Sequence, residues 1–291
     1  MTLPDGQPHL TTKTTKTAET AETAETAVSL GDGDLHVCED GRRDAPALLL
    51  IHGTAFSGRS WDLLVPLLTR SHRVVRIDLL GCGRSAKPED ASYELPDQAR
   101  RVGEVLDRLG IDRATVVGHS SGGMVATALA ERRPGLVTAL VVVNTGPSMD
   151  AFIAPASAEL GPEQWPPSDE QIRQLASTGF GRSGRQVTEE VVAELRSTSF
   201  QVFAALMQTP RDYVMERTLP DRLKVLGKPL LVIFGEDDRR WRSSSAADYR
   251  IVPGAKVELL SGLGHTPILE DPARTAEVML AFSAPLAERE S

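Results

Sequence analysis

A chain of 291 residues with 41% hydrophobic content has ordinary globular composition, with enough material for a sizeable core built as one domain with an insertion. A net charge of −8, with Lys and Arg scattered rather than gathered into a stripe, argues against a nucleic-acid partner. Two cysteines, Cys38 and Cys82, argue against a disulfide framework, and the absence of a signal-like start or of an apolar run near the roughly 20 residues of a membrane span leads to the expectation of a cytoplasmic protein without a membrane partner.

Residues 1–26 form a Thr, Lys, Ala and Glu tract in which Ala-Glu-Thr occurs three times from Ala18, with almost nothing to bury. A disordered tail is expected there. From Ala27 the pattern changes to short β-rich runs broken by turn residues. The first pair surrounds Gly31-Asp32-Gly33 and reads as a hairpin. Further strands are expected at Ala47–Ile51, Arg73–Asp78, Ala114–Gly118, Val137–Asn144, Pro229–Gly235 and Lys256–Leu260, nearly all apolar, as strands covered on both faces should be. Amphipathic segments at Trp61–Leu68, Leu95–Leu109, Ser121–Glu131 and Ala273–Phe282 alternate with them. This rhythm predicts an α/β fold with a mostly parallel sheet covered by helices on both faces.

Residues 147–220 depart from the rhythm, with two helical patterns and no convincing strand. Ser168 and Gln171 form a capping box for one helix, and Thr188 is placed to cap a second carrying Val192, Leu195, Phe203 and Leu206. A helical lid is expected here, inserted between core segments 27–146 and 221–291. Phe152, Trp165, Phe203 and Met207, with Phe56 and His119 from the core, are expected to border the substrate. The alternative for the insertion's aromatics is that they only join it to the body, and for His119 that it packs beside the nucleophile.

The chemistry is carried by Gly118-His119-Ser120-Ser121-Gly122, a G-x-S-x-G pattern between a β-run and a small-residue helix start. A serine on a sharp strand-to-helix turn projects its hydroxyl above the sheet, and glycines two positions either side allow close backbone approach. Ser121 lacks the N-terminal glycine, so Ser120 is the expected nucleophile. Such a hydroxyl needs a base that is itself oriented by a carboxylate. Downstream, Leu230–Gly235 runs into Glu236-Asp237-Asp238, and Lys256–Leu260 runs toward Gly264-His265. Both lie beyond strand C-termini, where open α/β sheets place their sites.

Together, His52-Gly53, Asp78 with Gly81-Cys82-Gly83-Arg84-Ser85, the serine turn, Gly235-x-x-Asp238 and Gly264-His265 with Glu270-Asp271-Pro272 resemble the α/β-hydrolase superfamily over about residues 27–287. The resemblance implies an eight-stranded sheet, a Ser120-Asp238-His265 triad with Asp237 as the rival acid, and an oxyanion hole from the amides of Thr54 and Ser121. His52 would hold its loop. No cofactor is implied, and no metal motif such as HExxH is present. Gly81-Cys82-Gly83-Arg84-Ser85-Ala86 imitates a dinucleotide fingerprint, but Pro88 interferes with the helix a pyrophosphate would need.

The expected activity is hydrolysis of a carboxylic ester, lactone or related acyl bond of a hydrophobic small molecule. A thioesterase, a carbon–carbon hydrolase, peracid formation, and a natural-product tailoring lyase or acyltransferase remain alternatives on the same residues. Oligomeric state is left open by the sequence.

Overall fold

Nine strands form a single sheet in the computed structural model, which describes residues 12–15, 23–54, 56–153, 161–180 and 188–287. They are β1 (Thr12–Thr15), β2 (Thr23–Leu30), β3 (Gly33–Asp40), β4 (Ala47–Ile51), β5 (Arg73–Ile77), β6 (Ala114–His119), β7 (Val137–Val143), β8 (Leu230–Gly235) and β9 (Lys256–Leu260). Their spatial order is β1-β2-β3-β5-β4-β6-β7-β8-β9. The strands from β4 to β9 pair in parallel, and β1 to β3 join antiparallel at one edge.

The mostly parallel α/β sheet is therefore the expected one, with β2 to β9 as its eight strands and β1 as a ninth. The start differs from the sequence expectation. Thr12–Thr15 and Thr23–Thr26 fall within the expected disordered tail, yet both segments are in strands. The Ala-Glu-Thr triplet has a period of three and hides an alternation of two. In β2, Thr26 and Val28 are buried while Ala27 faces out. Glu25 is moreover ion-paired with Arg84 at 2.8 Å, so a residue that reads as solvated is anchored. The rest of that tract, residues 1–11 and 16–22, lies outside the described residues.

Alternation along the central strands fills two cores. Leu49, Ile51, Val116, Leu140 and Val142 face one way, while Leu48, Leu50, Val117, Val141 and Val143 face the other. Each such side chain contributes about 1.5–3 kcal/mol on leaving water, which is why continuous apolar runs need covering on both sides. The short α1 (Val65–Leu68) packs into the second of these cores. On the first face lie α2 (Leu95–Arg108) and α3 (Ser121–Arg132).

Among the described residues between β7 and β8 lie four α-helices: α4 (Asp169–Ser177), α5 (Glu189–Arg196), α6 (Phe200–Glu216) and α7 (Leu219–Leu226). The capping box at α4 is formed in both directions, Gln171 N to Ser168 Oγ at 3.2 Å and Ser168 N to Gln171 Oε1 at 2.9 Å. The second expected helix is two. Its hydrophobic face runs on, but Ser199 accepts a hydrogen bond from Val202 N at 3.3 Å and starts α6 afresh. Ile172, Val192, Leu195 and Phe203 form a small core of their own, with Trp165 and Met207 against it. The chain closes with α8 (Pro267–Glu270) and α9 (Pro272–Ala287), whose Ala276, Met279 and Phe282 complete the second face.

Candidate active site

Ser120 stands between β6 and α3 with φ 53° and ψ −124°, a left-handed conformation that a non-glycine residue adopts only when its surroundings impose it. Those surroundings are the two flanking glycines. A Cβ on Gly118 would lie 2.3 Å from the Gly122 carbonyl carbon, and one on Gly122 would lie 2.3 Å from the Ile51 oxygen. The turn is fastened by Ser120 N to Val143 O at 2.9 Å and by Thr145 Oγ1 to Ser120 O at 2.9 Å. The twelve-residue α3 then directs its N-terminal amides toward the same place.

Past the end of β8, Asp238 receives His265 Nδ1 on Oδ2 at 2.9 Å, with both side chains shut off from solvent. Of the three consecutive acids, Glu236 is exposed and Asp237 half-buried, so only Asp238 faces the imidazole. Asp238 also accepts from Asn144 Nδ2 at 2.7 Å on the same oxygen, and on Oδ1 from the amides of Arg240 at 2.7 Å and Trp241 at 3.2 Å. Burial pushes its pKa up, but His265 and these donors outweigh burial and hold it below the ordinary carboxylate value. Glu270 bonds Gly264 N at 3.1 Å and Thr266 N at 3.2 Å, bracketing His265 from both sides.

His265 Nε2, the nitrogen available for a hydroxyl, is buried and has no hydrogen-bond partner among the described residues. The structure thus joins the predicted acid to the predicted base and leaves the serine-to-base hydrogen bond unformed. Such bonds are often long in proteins without substrate.

Thr54 and Ser121 meet directly, Oγ1 to Oγ at 2.8 Å, and both line the same cavity as Ser120. His52 secures the preceding loop, with Nδ1 2.8 Å from Gly53 O and Nε2 accepting from Leu79 N at 3.0 Å. Asp78 organises the glycine-rich turn after β5, accepting from Gly58 N at 2.6 Å and Arg84 N at 2.9 Å. A Cβ on Gly83 would fall 2.4 Å from that carboxylate. The fingerprint-like glycines therefore wrap an internal carboxylate, and no helix follows them until Leu95.

The cavity above Ser120 has a volume of about 160 Å³. At about 10–15 Å³ for one water, that is space for a small molecule. Phe56, Phe152, Phe203 and Met207 border it as expected. Two predicted substrate contacts do not. Trp165 packs on Phe203 with ring centroids 4.8 Å apart and donates Nε1 to Thr198 O at 2.9 Å, so it joins the helices to one another. His119 is wholly buried below the serine turn, with Nε2 2.8 Å from His265 O. Burial first, and His265 second, push its pKa down to about 3, so it stays neutral.

The sequence motifs do not point to Asn144, and they contain Glu270 only as part of Glu270-Asp271-Pro272, with no role attached. Asn144 has φ 46°, and an asparagine just past a strand, where the chain turns left-handed, is a usable signal. Among the described residues, Glu25, His36 and Cys38 form one group of metal-ligand type on β2 and β3, with Glu25 held by Arg84.

The chain is 30% identical over 250 residues to the 2-hydroxymuconate semialdehyde hydrolase of Pseudomonas sp. (strain CF600), covering 81% of this chain and 86% of that one. It is 25% identical over 260 residues to the carboxylesterase YbfK of Bacillus subtilis (strain 168), covering 88% and 86%. A hydrolase of known structure from Pseudomonas aeruginosa PA01 superposes with a TM-score of 0.73 at 26% identity, over 89% of this chain and 97% of that one. Residues 48–278 match the model of the alpha/beta hydrolase family, and the chain belongs to that family of enzymes.

Proposed function

We propose that the protein is a serine hydrolase that cleaves a carboxylic ester, lactone or related acyl bond of a hydrophobic small molecule through an acyl-enzyme. The observation that carries the reading is the buried Asp238–His265 hydrogen bond, set beside a strained serine turn that opens on an apolar cavity. In this reading Asp238 fixes the imidazole with Nδ1 protonated, which leaves Nε2 as the base. His265 takes the Ser120 proton as Oγ attacks the carbonyl carbon. The oxyanion that forms is received by the amides of Thr54 and Ser121, at the N-terminal end of α3. His265 returns the proton to the leaving group, and water, activated by the same imidazole, releases the acid. The helices α4 to α6 act as a lid over the cavity, which favours a hydrophobic molecule.

A second reading is carbon–carbon cleavage of a β-diketone-like substrate. It is favoured by likeness to an enzyme named for hydrolysing a semialdehyde rather than an ester. A panel of p-nitrophenyl esters of graded acyl length decides between the two. The ester reading expects turnover that depends on chain length and falls by roughly 10⁴ in Ser120→Ala. Full turnover in Ser120→Ala would refute it. No turnover of any ester, with Ser120 still reactive, would favour the carbon–carbon reading.

A further inference from the structure

A second, much smaller cavity lies beside the one above Ser120. Its volume is about 20 Å³, and Thr54 and Ser121 line both. One water needs about 10–15 Å³ and two to four polar groups to receive it.

Gln98, in the N-terminal turn of α2, lines the small cavity and is 2% exposed. Its Nε2 donates to Leu80 O at 2.9 Å, which fixes the orientation of the amide. The other end, Oε1, is buried and has no hydrogen-bond partner among the described residues. Native structures nearly always satisfy a buried acceptor of this kind, because leaving it unpaired forfeits its hydration. On the shared wall, Thr54 Oγ1 donates to Ser121 Oγ at 2.8 Å, so the Ser121 hydroxyl has its own proton to give. Thr209, buried on α6, brings a further hydroxyl to the same cavity. His52 and Tyr93 line it too, but their polar atoms are engaged. Both His52 ring nitrogens bond to backbone, and the Tyr93 hydroxyl donates to Pro88 O at 2.7 Å.

We propose that the small cavity holds one water, which donates to Gln98 Oε1 and accepts from the Ser121 hydroxyl, and that Gln98 is thereby a positioning residue for the oxyanion hole. The water ties α2 to the first residue of α3 and, through Ser121 Oγ, to Thr54. It thus sets the spacing of the two amides that receive the oxyanion. The inference rests on the acyl-hydrolase reading and adds to its site a bound water and a residue outside the substrate cavity. Because the oxyanion develops only as the carbonyl is attacked, loosened amides lower kcat while KM changes little.

A high-resolution crystal structure of the full chain is expected to show a density peak within hydrogen-bond reach of Gln98 Oε1 and Ser121 Oγ. An ordered Gln98 with no such peak would overturn the proposal. Gln98→Met keeps roughly the side-chain volume and removes the acceptor. With a p-nitrophenyl ester, its kcat per titrated active site is expected to fall by about tenfold at little-changed KM. The Ki of a boronic acid, whose tetrahedral adduct on Ser120 places an oxygen in the hole, is expected to rise by a similar factor. A lower denaturation midpoint with kcat and Ki unchanged would assign Gln98 a merely structural role and overturn the proposal. In a Ser121→Ala background, Gln98→Met should cost little further, since either change releases the same water, and losses that multiply would also overturn it. Gln98→Glu, neutral when buried, can keep both hydrogen bonds and should retain more kcat than Gln98→Met. If Gln98→Met does not fold, Ser121→Ala carries the test: kcat and Ki should shift in the same directions with the water peak lost, and unchanged values would overturn the proposal. Failure of every ester, with Ser120 unreactive, would remove the acyl-hydrolase reading and this inference together. Esters turned over alike by wild type and Gln98→Met would overturn this inference alone.

Discussion

Asn144 Nδ2 and His265 Nδ1 converge on one oxygen of Asp238, at 2.7 and 2.9 Å. The asparagine also reaches Gly264 O at 3.2 Å and accepts from Gly235 N at 3.2 Å, so it ties the acid's strand end to the base's loop. A hydrogen bond to a charged group is worth about 1.5–3 kcal/mol, or about ten- to a hundredfold in rate if it is spent on orientation. Asn144→Gly tolerates the φ of 46° and removes only the amide. It should lower kcat by that factor with KM little changed. Asn144→Ala should lose a further ~1 kcal/mol of stability to backbone strain. Steady-state kinetics with urea unfolding of both variants checks the split, and equal kcat in Asn144→Gly and wild type would contradict the positioning role.

The glycines of the serine turn make a steric prediction. A methyl group at Gly122 would stand 2.3 Å from Ile51 O and 2.5 Å from His52 O, all backbone atoms that cannot swing away. Gly122→Ala should force α3 off β4 and cost more than about 3 kcal/mol, at the severe end for a point substitution. Gly135, where a Cβ would meet nothing within 4 Å, is the control. Chemical denaturation of Gly122→Ala and Gly135→Ala should differ by that amount, and near-equal midpoints would disprove the packing argument.

Asp78 sets a pH prediction. Burial pushes its pKa up, but His36 Nδ1 at 3.1 Å and the amides of Arg84 and Gly58 prevail and bring it down to about 2, from an ordinary 3.8. A carboxylate depressed in the folded state adds stability above its unfolded pKa and loses it as pH falls through the folded one. The difference amounts to about 2 kcal/mol at neutral pH and roughly half that at pH 3. Subtracting the urea stability of Asp78→Asn from wild type at pH 7 and pH 3 should show this decline. A gap that stays constant would mean that Asp78 is not held ionised.

Glu194 on α5 accepts Ser57 Oγ at 3.0 Å, linking the helices above the cavity to the loop after β4. Burial raises its pKa and the serine only partly opposes this. An acid raised in the docked state stabilises docking while protonated, and that contribution fades as pH rises through its folded value. Amide exchange in α5, corrected for intrinsic rates, should therefore be faster at pH 8 than at pH 5. In Glu194→Gln the two should match. A persisting difference in that variant would assign the effect to another group.

Much of this arrangement was legible in the sequence because it is local. Gly118, Ser120 and Gly122 lie within five residues, the strand leading to Asp238 is a short, wholly buried apolar run, and the one leading to His265, an edge strand with Lys256, Glu258 and Leu259 exposed, still has a clear end. What escaped was long-range or cryptic in period. Asn144 is an ordinary strand-end residue until β8 arrives beside it, and the aromatic at Trp165 cannot reveal from composition whether it faces the cavity or Phe203. The period-three repeat of the N-terminal tract concealed a strand whose partner, β3, fixes which residues are inside.

The claim on which the account depends is that Ser120 is a nucleophile activated by His265. Incubation with a fluorophosphonate, followed by intact-protein and peptide mass spectrometry, addresses it directly. One adduct on the peptide holding Ser120 is predicted in the wild type, with labelling abolished in Ser120→Ala and slowed by orders of magnitude in His265→Ala. An unlabelled Ser120, or labelling that proceeds equally fast without the imidazole, would contradict it.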